Sequence, residues 1–330
     1  MINLMPVRVS VRFIACLTYL SLGMHFAHAE TPEDGWQLLQ KSAVAAHALS
    51  YQGIFVCETG HHNKAVQMTH LYNGQGEYSR NVTLDNTPRE VFSQGRDLII
   101  YNPKKEKIII EKRRGQNLFP AILPLKLDGL KASYTLKIGD TDKVAGRSAT
   151  LIWLTPKDNL RYTYQFWIDQ EYGLLLKYSM LNVKQEPLET IGFNQLNLMK
   201  TLDLDWFQPQ INAKKNYVME ESTPAVADSS VSEDWSIQRL PAGFVKIDQM
   251  KLMAHGKTTP VTQLIFSDGL ASISLFIEPL MKNVQPRIGH NSVGNNSFYA
   301  NVQKGYQITV VGEVPQETVA KIGDAVVFKK

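Results

Sequence analysis

The period of apolar and polar residues changes twice along this chain. Just after position 30, "TPEDGWQLLQKSAVAAHAL" places apolar residues at Trp36, Leu39, Ala43 and Ala46, and Pro32, Glu33 and Asp34 suit a helix start. From Tyr51 to about Leu198 the period shortens to two. The runs "YQGIFVCE", "AVQMTHLY", "REVFSQ", "DLIIYN", "EKIIIEK", "SATLIWLT", "RYTYQFWID", "LLLKYSML" and "ETIGFNQL" read as strands. Between them, "NGQGE", "DNTPR", "NPKK", "TPKDN" and "DQEYG" supply turn residues. One further helix is expected within "NLFPAILPLKLDGL". A long antiparallel meander with few helices is α+β, not a doubly wound fold.

Residues 212–234, "NAKKNYVMEESTPAVADSSVSED", lose all periodicity and read as an exposed linker. Strand patterning resumes beyond it. "VTQLIFSDGLASISLFIEPL" reads as a hairpin about "SDG", and "NNSFYANVQKGYQITVVGEV" as another about "QKG". "PQETVAKIGDAV" is a short helix opened by Pro315, with Glu317 in its first turn. Residues 30–211 therefore form one domain and residues 235–330 a smaller α+β domain. Hydrophobic residues make up 44% of the chain, enough for two cores.

The segment before Glu30 changes the compartment. Arg8 and Arg12 precede an apolar run from Phe13 to Met24, and Ala27-His28-Ala29 is a small-residue cleavage pattern. This reads as a secretory signal peptide over residues 1–29. The run is short of the ~20 residues that span a bilayer, and Cys16 lies too early in it for lipidation. Cleavage after Ala29 leaves Cys57 as the one cysteine, so no internal disulfide can form. Cys57 sits in an alternating strand, and a small buried apolar role suits it better than a reactive thiol beside His61 and His62. Loss of the two arginines lowers the formal charge from +4 to +2, too little to argue for a nucleic-acid partner.

The chemistry-bearing patterns are few. There is no G-x-S-x-G elbow, Walker A loop or H-E-x-x-H pair. "IGDTDKVAG" resembles a calcium loop only faintly, because its glycine is displaced and no glutamate follows where one is required. Asp203 and Asp205 in "TLDLDWF" would share one strand face. Of His61, His62 and His70, adjacent residues point to opposite faces of a strand, which argues against a shared metal. No catalytic constellation and no cofactor site emerges.

Two patterns suit binding. In "RYTYQFWI", Tyr162, Tyr164, Phe166 and Ile168 share one strand face, while Arg161, Thr163, Gln165 and Trp167 share the other. An ordinary core face explains the aromatic stripe; a concave apolar groove is the alternative, with Phe55 as a further member. In "NPKKEKIIIEKRRG", Lys104, Lys105 and Lys107 precede an apolar triplet, and Lys112, Arg113 and Arg114 follow it. Solvated strand ends explain the run. A patch for anionic groups explains it equally well.

Taken in order, "YQGIFV", "TPREVFSQG", "VAGRSATLIWLTPKDNLRYTYQFWIDQEYGLLLKYSML", "LPAGF", "LIFSDGLASISLF" and "ITVVGEVPQETV" resemble the RseB/MucB family over nearly all of the chain beyond the signal peptide. Members are periplasmic regulators of the sigma-E (AlgU) envelope-stress pathway. The cysteine in "IFVCETG" departs from the aromatic or polar residue expected there. The resemblance implies an N-terminal half-barrel like the LolA-type lipoprotein carriers and a smaller second domain. It implies a periplasmic, non-enzymatic negative regulator that binds the periplasmic segment of an RseA/MucA-type anti-sigma factor and shields it from proteolysis. Anionic lipid, lipopolysaccharide or mislocalised lipoprotein would release that partner. Homo-oligomerisation stays open, and a LolA-type lipoprotein or lipid carrier is the alternative function.

Overall fold

Helix α1 (Pro32–Ala48) begins where the sequence places it, because Thr31 and Asp34 form a reciprocal capping box: Thr31 N donates to Asp34 Oδ2 at 2.8 Å and Asp34 N to Thr31 Oγ1 at 3.4 Å. Such a cap contributes about 1 kcal/mol. Trp36, Leu39, Ala43 and Ala46, the expected apolar stripe, are all buried. The computed structural model describes residues 31–60, 62–85, 89–95, 97–112, 118–200, 203–212, 215–221, 234–252, 259–281 and 284–329. The expected signal peptide, His61, Arg113, Arg114 and much of the expected linker lie outside them.

Alternating residues then build the strands of a single large sheet: β1 (Tyr51–Thr59), β2 (His62–Tyr72), β3 (Glu77–Thr83), β4 (Glu90–Gln94), β5 (Asp97–Asn102) and β6 (Lys107–Lys112) run as a meander. The chain crosses to the far edge through residues 118–133. There β7 (Tyr134–Val144), β8 (Arg147–Pro156), β9 (Thr163–Asp169), β10 (Leu175–Leu181) and β11 (Pro187–Leu198) meander back until β11 pairs antiparallel with β1, Tyr51 opposite Leu198. Strand β12 (Val218–Glu221) adds in parallel to β6. The sheet stays open, with β12 and β7 at its two ends, but it curls: β7 touches β11 although β8, β9 and β10 lie between them.

The crossing segment is why the inner face is not bare. Phe119, Leu123, Leu127 and Leu130 pack with α1 onto Tyr164, Phe166, Ile168 and Phe193, forming the main core. Of the helix expected in this segment, only α2 (Asp128–Ser133) forms. Pro120 and Pro124 lack the N–H a helix needs, and the chain before α2 stays in turns. The faint calcium-loop pattern is the end of β7 and its turn into β8. Asp203 and Asp205 do not share a strand: Leu204–Phe207 is a short 3-10 helix, and the Asp203 side chain accepts from Asp205 N at 3.0 Å. Val218–Glu221 is ordered within the span expected as linker. Tyr217 anchors it by a 3.0 Å bond to Tyr101, and Lys107 pairs with Glu220 at 2.8 Å.

The smaller C-terminal domain is a second sheet. Strands β13 (Trp235–Ile237), β14 (Val245–Leu252), β15 (Val261–Ser267), β16 (Ser272–Pro279), β17 (Gly289–Val293), β18 (Asn296–Gln303) and β19 (Tyr306–Gly312) are followed by α3 (Gln316–Asp324) and β20 (Val326–Phe328). Six of them pair in the order β14-β15-β16-β19-β18-β17, while β13 pairs with β20 and ties the two ends of the domain together. Helix α3 packs Val319 and Ile322 onto Ile308 and Val310. Both expected hairpins form, β15–β16 about Asp268-Gly269 and β18–β19 about Lys304-Gly305.

Candidate functional site

The two domains meet where the loop before β9 touches the β15–β16 turn. Arg161, almost fully buried, donates from Nε to Asp268 Oδ2 at 2.7 Å and also bonds to Asp158 and to the carbonyl of Ala242. Its guanidinium lies 4.7 Å from the Phe244 ring centre. Asp268 in turn accepts from the Tyr134 hydroxyl at 3.2 Å and from the backbone of Leu270 and Ala271, so it fixes its own tight turn while it holds Arg161. A buried charge is tolerated only when paired and hydrogen-bonded in this way. Burial pushes the Arg161 guanidinium toward neutrality, but the carboxylates of Asp268 and Asp158 outweigh it and raise its pKa.

Gly243 makes the approach possible. Its φ is +84°, and a Cβ there would lie 2.5 Å from Ser133 Oγ and 2.8 Å from Arg161 Nη2. At the start of α3, Thr318 Oγ1 donates to the Leu160 carbonyl at 2.7 Å, and Asn159 donates to Glu317 at 2.6 Å.

Beside these contacts lies a cavity of about 510 Å³ shared by the two domains. Phe119, Ile122 and Tyr178 line it from the first domain, and Val245, Ile247 and Leu270 from the second. Glu189 and Glu313 also line it, one from each domain. An apolar cleft with a few polar groups, placed between domains, is the usual form of a binding site. Nothing in it resembles a nucleophile with its base.

Residues 34–211 match the MucB/RseB N-terminal domain family, and residues 229–327 match the MucB/RseB C-terminal domain family. The chain belongs to the MucB/RseB family. It is 28% identical to the Sigma-E factor regulatory protein RseB of Haemophilus influenzae over 94% of this chain and 98% of that protein. It is 30% identical to the Sigma factor AlgU regulatory protein MucB of Pseudomonas aeruginosa over 88% of this chain and 89% of that one. Among solved structures, it resembles MucB in complex with MucA(peri), with a TM-score of 0.71, 25% identity, and coverage of 90% of this chain and 100% of that chain.

Within this MucB/RseB chain, the aromatic residues singled out in the sequence come together. Phe55 packs on Phe119 at 5.2 Å between ring centres, Phe119 on Tyr178 at 6.2 Å, Tyr178 on Phe166 at 6.5 Å, and Phe166 on Tyr164 at 5.9 Å. They differ in access. Phe166 is 0% and Tyr164 5% exposed, inside the main core, whereas Phe55 and Tyr162 are half-buried. On the opposite face of β9, Trp167 is also buried, in a small cluster with Val144, Ala149 and Leu176.

The basic run is elsewhere. Lys104 and Lys105 sit exposed in the β5–β6 turn, Lys107 pairs with Glu220, and Lys112 lies 3.9 Å from Asp97. Strand β6, which carries Lys107 and Lys112, lies five positions from β1 and eight from β9 in the sheet order.

The remaining candidates have structural partners. His70 contacts the Leu49 carbonyl at 2.8 Å and Glu77 at 3.0 Å, and stacks on Tyr51 at 4.8 Å. His47 reaches the same carboxylate at 3.0 Å. Burial raises the Glu77 pKa, but the hydrogen bonds from His47 and His70 outweigh it and bring the carboxyl down to about 2. Cys57 is half-buried near the C-terminal end of β1. Burial pushes its thiol up, against a smaller opposing effect of the Thr59 hydroxyl. The Arg161–Asp268 pair was missed by sequence reasoning; its two partners stand 107 residues apart, and only the opposite-sign charges beside turn motifs hinted at it.

Proposed function

We propose that this chain is a periplasmic, non-enzymatic negative regulator of a sigma-E-type stress response. In this reading it binds the periplasmic segment of an RseA/MucA-type anti-sigma factor and shields it from proteolysis. The observation that carries it is the likeness to MucB in complex with MucA(peri) over 90% of this chain. The match of both domains to the family supports it, as do the regulatory names of the relatives. The partner segment would lie along the junction of the domains, where the apolar cleft offers Phe119, Ile122 and Leu270 to its side chains.

Release would come from anionic lipid, lipopolysaccharide or mislocalised lipoprotein. Of the four aromatic candidates, Phe55 and Tyr162 have surface left for an acyl chain, and Tyr164 and Phe166 would support them from the core. Lys104, Lys105, Lys107 and Lys112, on and beside β6, would act as a separate attachment point for anionic groups, extended by Arg113 and Arg114, which lie outside the described residues. A ligand that prefers the partner-free form weakens partner binding by the same factor by which the partner weakens its own.

Affinity capture from an envelope extract of the source organism tests this reading. Recovery of an anti-sigma factor is the expected result. Recovery of lipoproteins in stoichiometric amount, without an anti-sigma factor, would point instead to a LolA-type carrier.

A further inference from the structure

Glu189 of β11 and Glu313, just beyond β19, face each other across the domain junction. One side-chain amide serves both: Asn295 Nδ2 donates to Glu189 Oε2 at 3.2 Å and to Glu313 Oε1 at 3.2 Å. Its own oxygen is taken by Asn296 at 2.9 Å, which fixes the amide's orientation, and Asn295 is 6% exposed. Two carboxylate oxygens that share one donor lie within two hydrogen-bond lengths of each other. Like charges that close, partly out of water, resist ionising together.

We propose that Glu189, Glu313 and Asn295 form a proton-dependent latch between the two domains, which holds while the carboxyl pair keeps a proton and loosens when both ionise.

The surroundings of the pair favour this. Tyr178 of β10 donates its hydroxyl to Glu189, and Thr59 of β1 donates to the same side chain at 3.4 Å. Glu189 therefore has three donors, and it shares one of them, Asn295, equally with Glu313. Tyr164 of β9 and Cys57 of β1 also face the pair, and both feel its negative charge. Asp268, which also lines the cavity, is occupied by Arg161 and Tyr134. Among the described residues, Lys64 of β2, exposed and opposite Cys57 in the register, is a cation whose charge reaches Cys57. Burial first, and the Glu189 charge second, push the Glu313 carboxyl up from 4.5 to about 7, with Asn295 opposing them.

The sign follows. With the domains joined, the pair binds a proton that separated, solvated domains would have released. The joined form is thus favoured below the ordinary carboxyl pKa and progressively disfavoured as pH rises toward 7. Across that window the ratio of open to closed junction should rise by about tenfold or more.

Amide hydrogen exchange of the purified protein, corrected for the intrinsic effect of pH, reads this ratio without partner or lipid, so its outcome stands apart from the proposed function. Protection in the peptides spanning residues 157–164 and 289–297 should fall about tenfold or more between pH 5 and pH 8, while Ile308 and Val310 keep theirs. Glu313→Gln, and independently Glu189→Gln, should abolish the fall, since either removes the second charge. Unchanged junction protection in wild type, or the same fall in either folded variant, would overturn the latch.

Discussion

Arg161 Nε donates to Asp268 Oδ2 at 2.7 Å, with neither side chain more than 1% exposed. One charge comes from the large sheet and the other from the small domain, so the pair couples the two folds. Removing one partner of a buried pair leaves the other uncompensated, typically at a cost of about 3–5 kcal/mol. Arg161→Ala should therefore separate the thermal unfolding of the domains into two calorimetric transitions. A single transition at the wild-type temperature would show that other contacts hold the junction.

Gly243 gives a graded version of the same test. Gly243→Ala combines a left-handed backbone, φ +84°, with contacts inside 3 Å to Ser133 and Arg161. It should cost about 1–3 kcal/mol more than an unstrained surface change. Gly146→Ala is the control: its φ is +76°, but a Cβ there meets nothing within 4 Å. Urea denaturation of the two should rank Gly243→Ala as clearly the weaker.

The pairing of Arg161 with Asp268 also marks where sequence reading stopped. Strand Ser272–Pro279 was legible because burial of one sheet face imposes a period of two, whereas Thr163–Asp169 and Val261–Ser267 are buried on both faces and were legible from their aromatic and β-branched residues. Strand β7 was not: "YTLKIGDTDKV" is a sheet edge whose middle and end are largely exposed, so Gly139, Asp140 and Asp142 blur the pattern. The helix expected within residues 117–130 forms only from Asp128 on, as α2, because Pro120 and Pro124 hold the chain before it in turns while Phe119 and Leu123 cover the inner face. The cleft itself had no local signal. Phe119, Glu189, Leu270 and Glu313 come together only after both domains have folded and met.

Acid should probe the cluster beneath α1. Burial raises the Glu77 carboxyl, but the hydrogen bonds and charges of His47 and His70 outweigh it and lower it from 4.5 to about 2. A depressed carboxyl contributes stability that is present above its unfolded pKa and is lost as pH falls through the folded one. Melting temperature should therefore drop between pH 4.5 and pH 2, and Glu77→Gln, less stable at pH 6, should lose less over that window. Parallel pH profiles for the two proteins would remove Glu77 from acid stability.

Cys57 should behave as a packing residue. Burial raises its pKa, which leaves little thiolate at neutral pH. A thiol reagent should modify native protein slowly and denatured protein fast, and Cys57→Ala should keep partner binding. Rapid native modification accompanied by loss of binding would assign the thiol a role.

Partner binding itself is the most direct measurement. Purified protein is titrated calorimetrically with the periplasmic segment of an RseA/MucA-type anti-sigma factor, the partner that the proposed function requires. The expected result is saturable binding with a Kd of roughly 1 μM or tighter, weakened at least tenfold by Arg161→Ala through loss of the domain junction. Absence of any binding heat with folded protein and excess segment would contradict the regulatory reading.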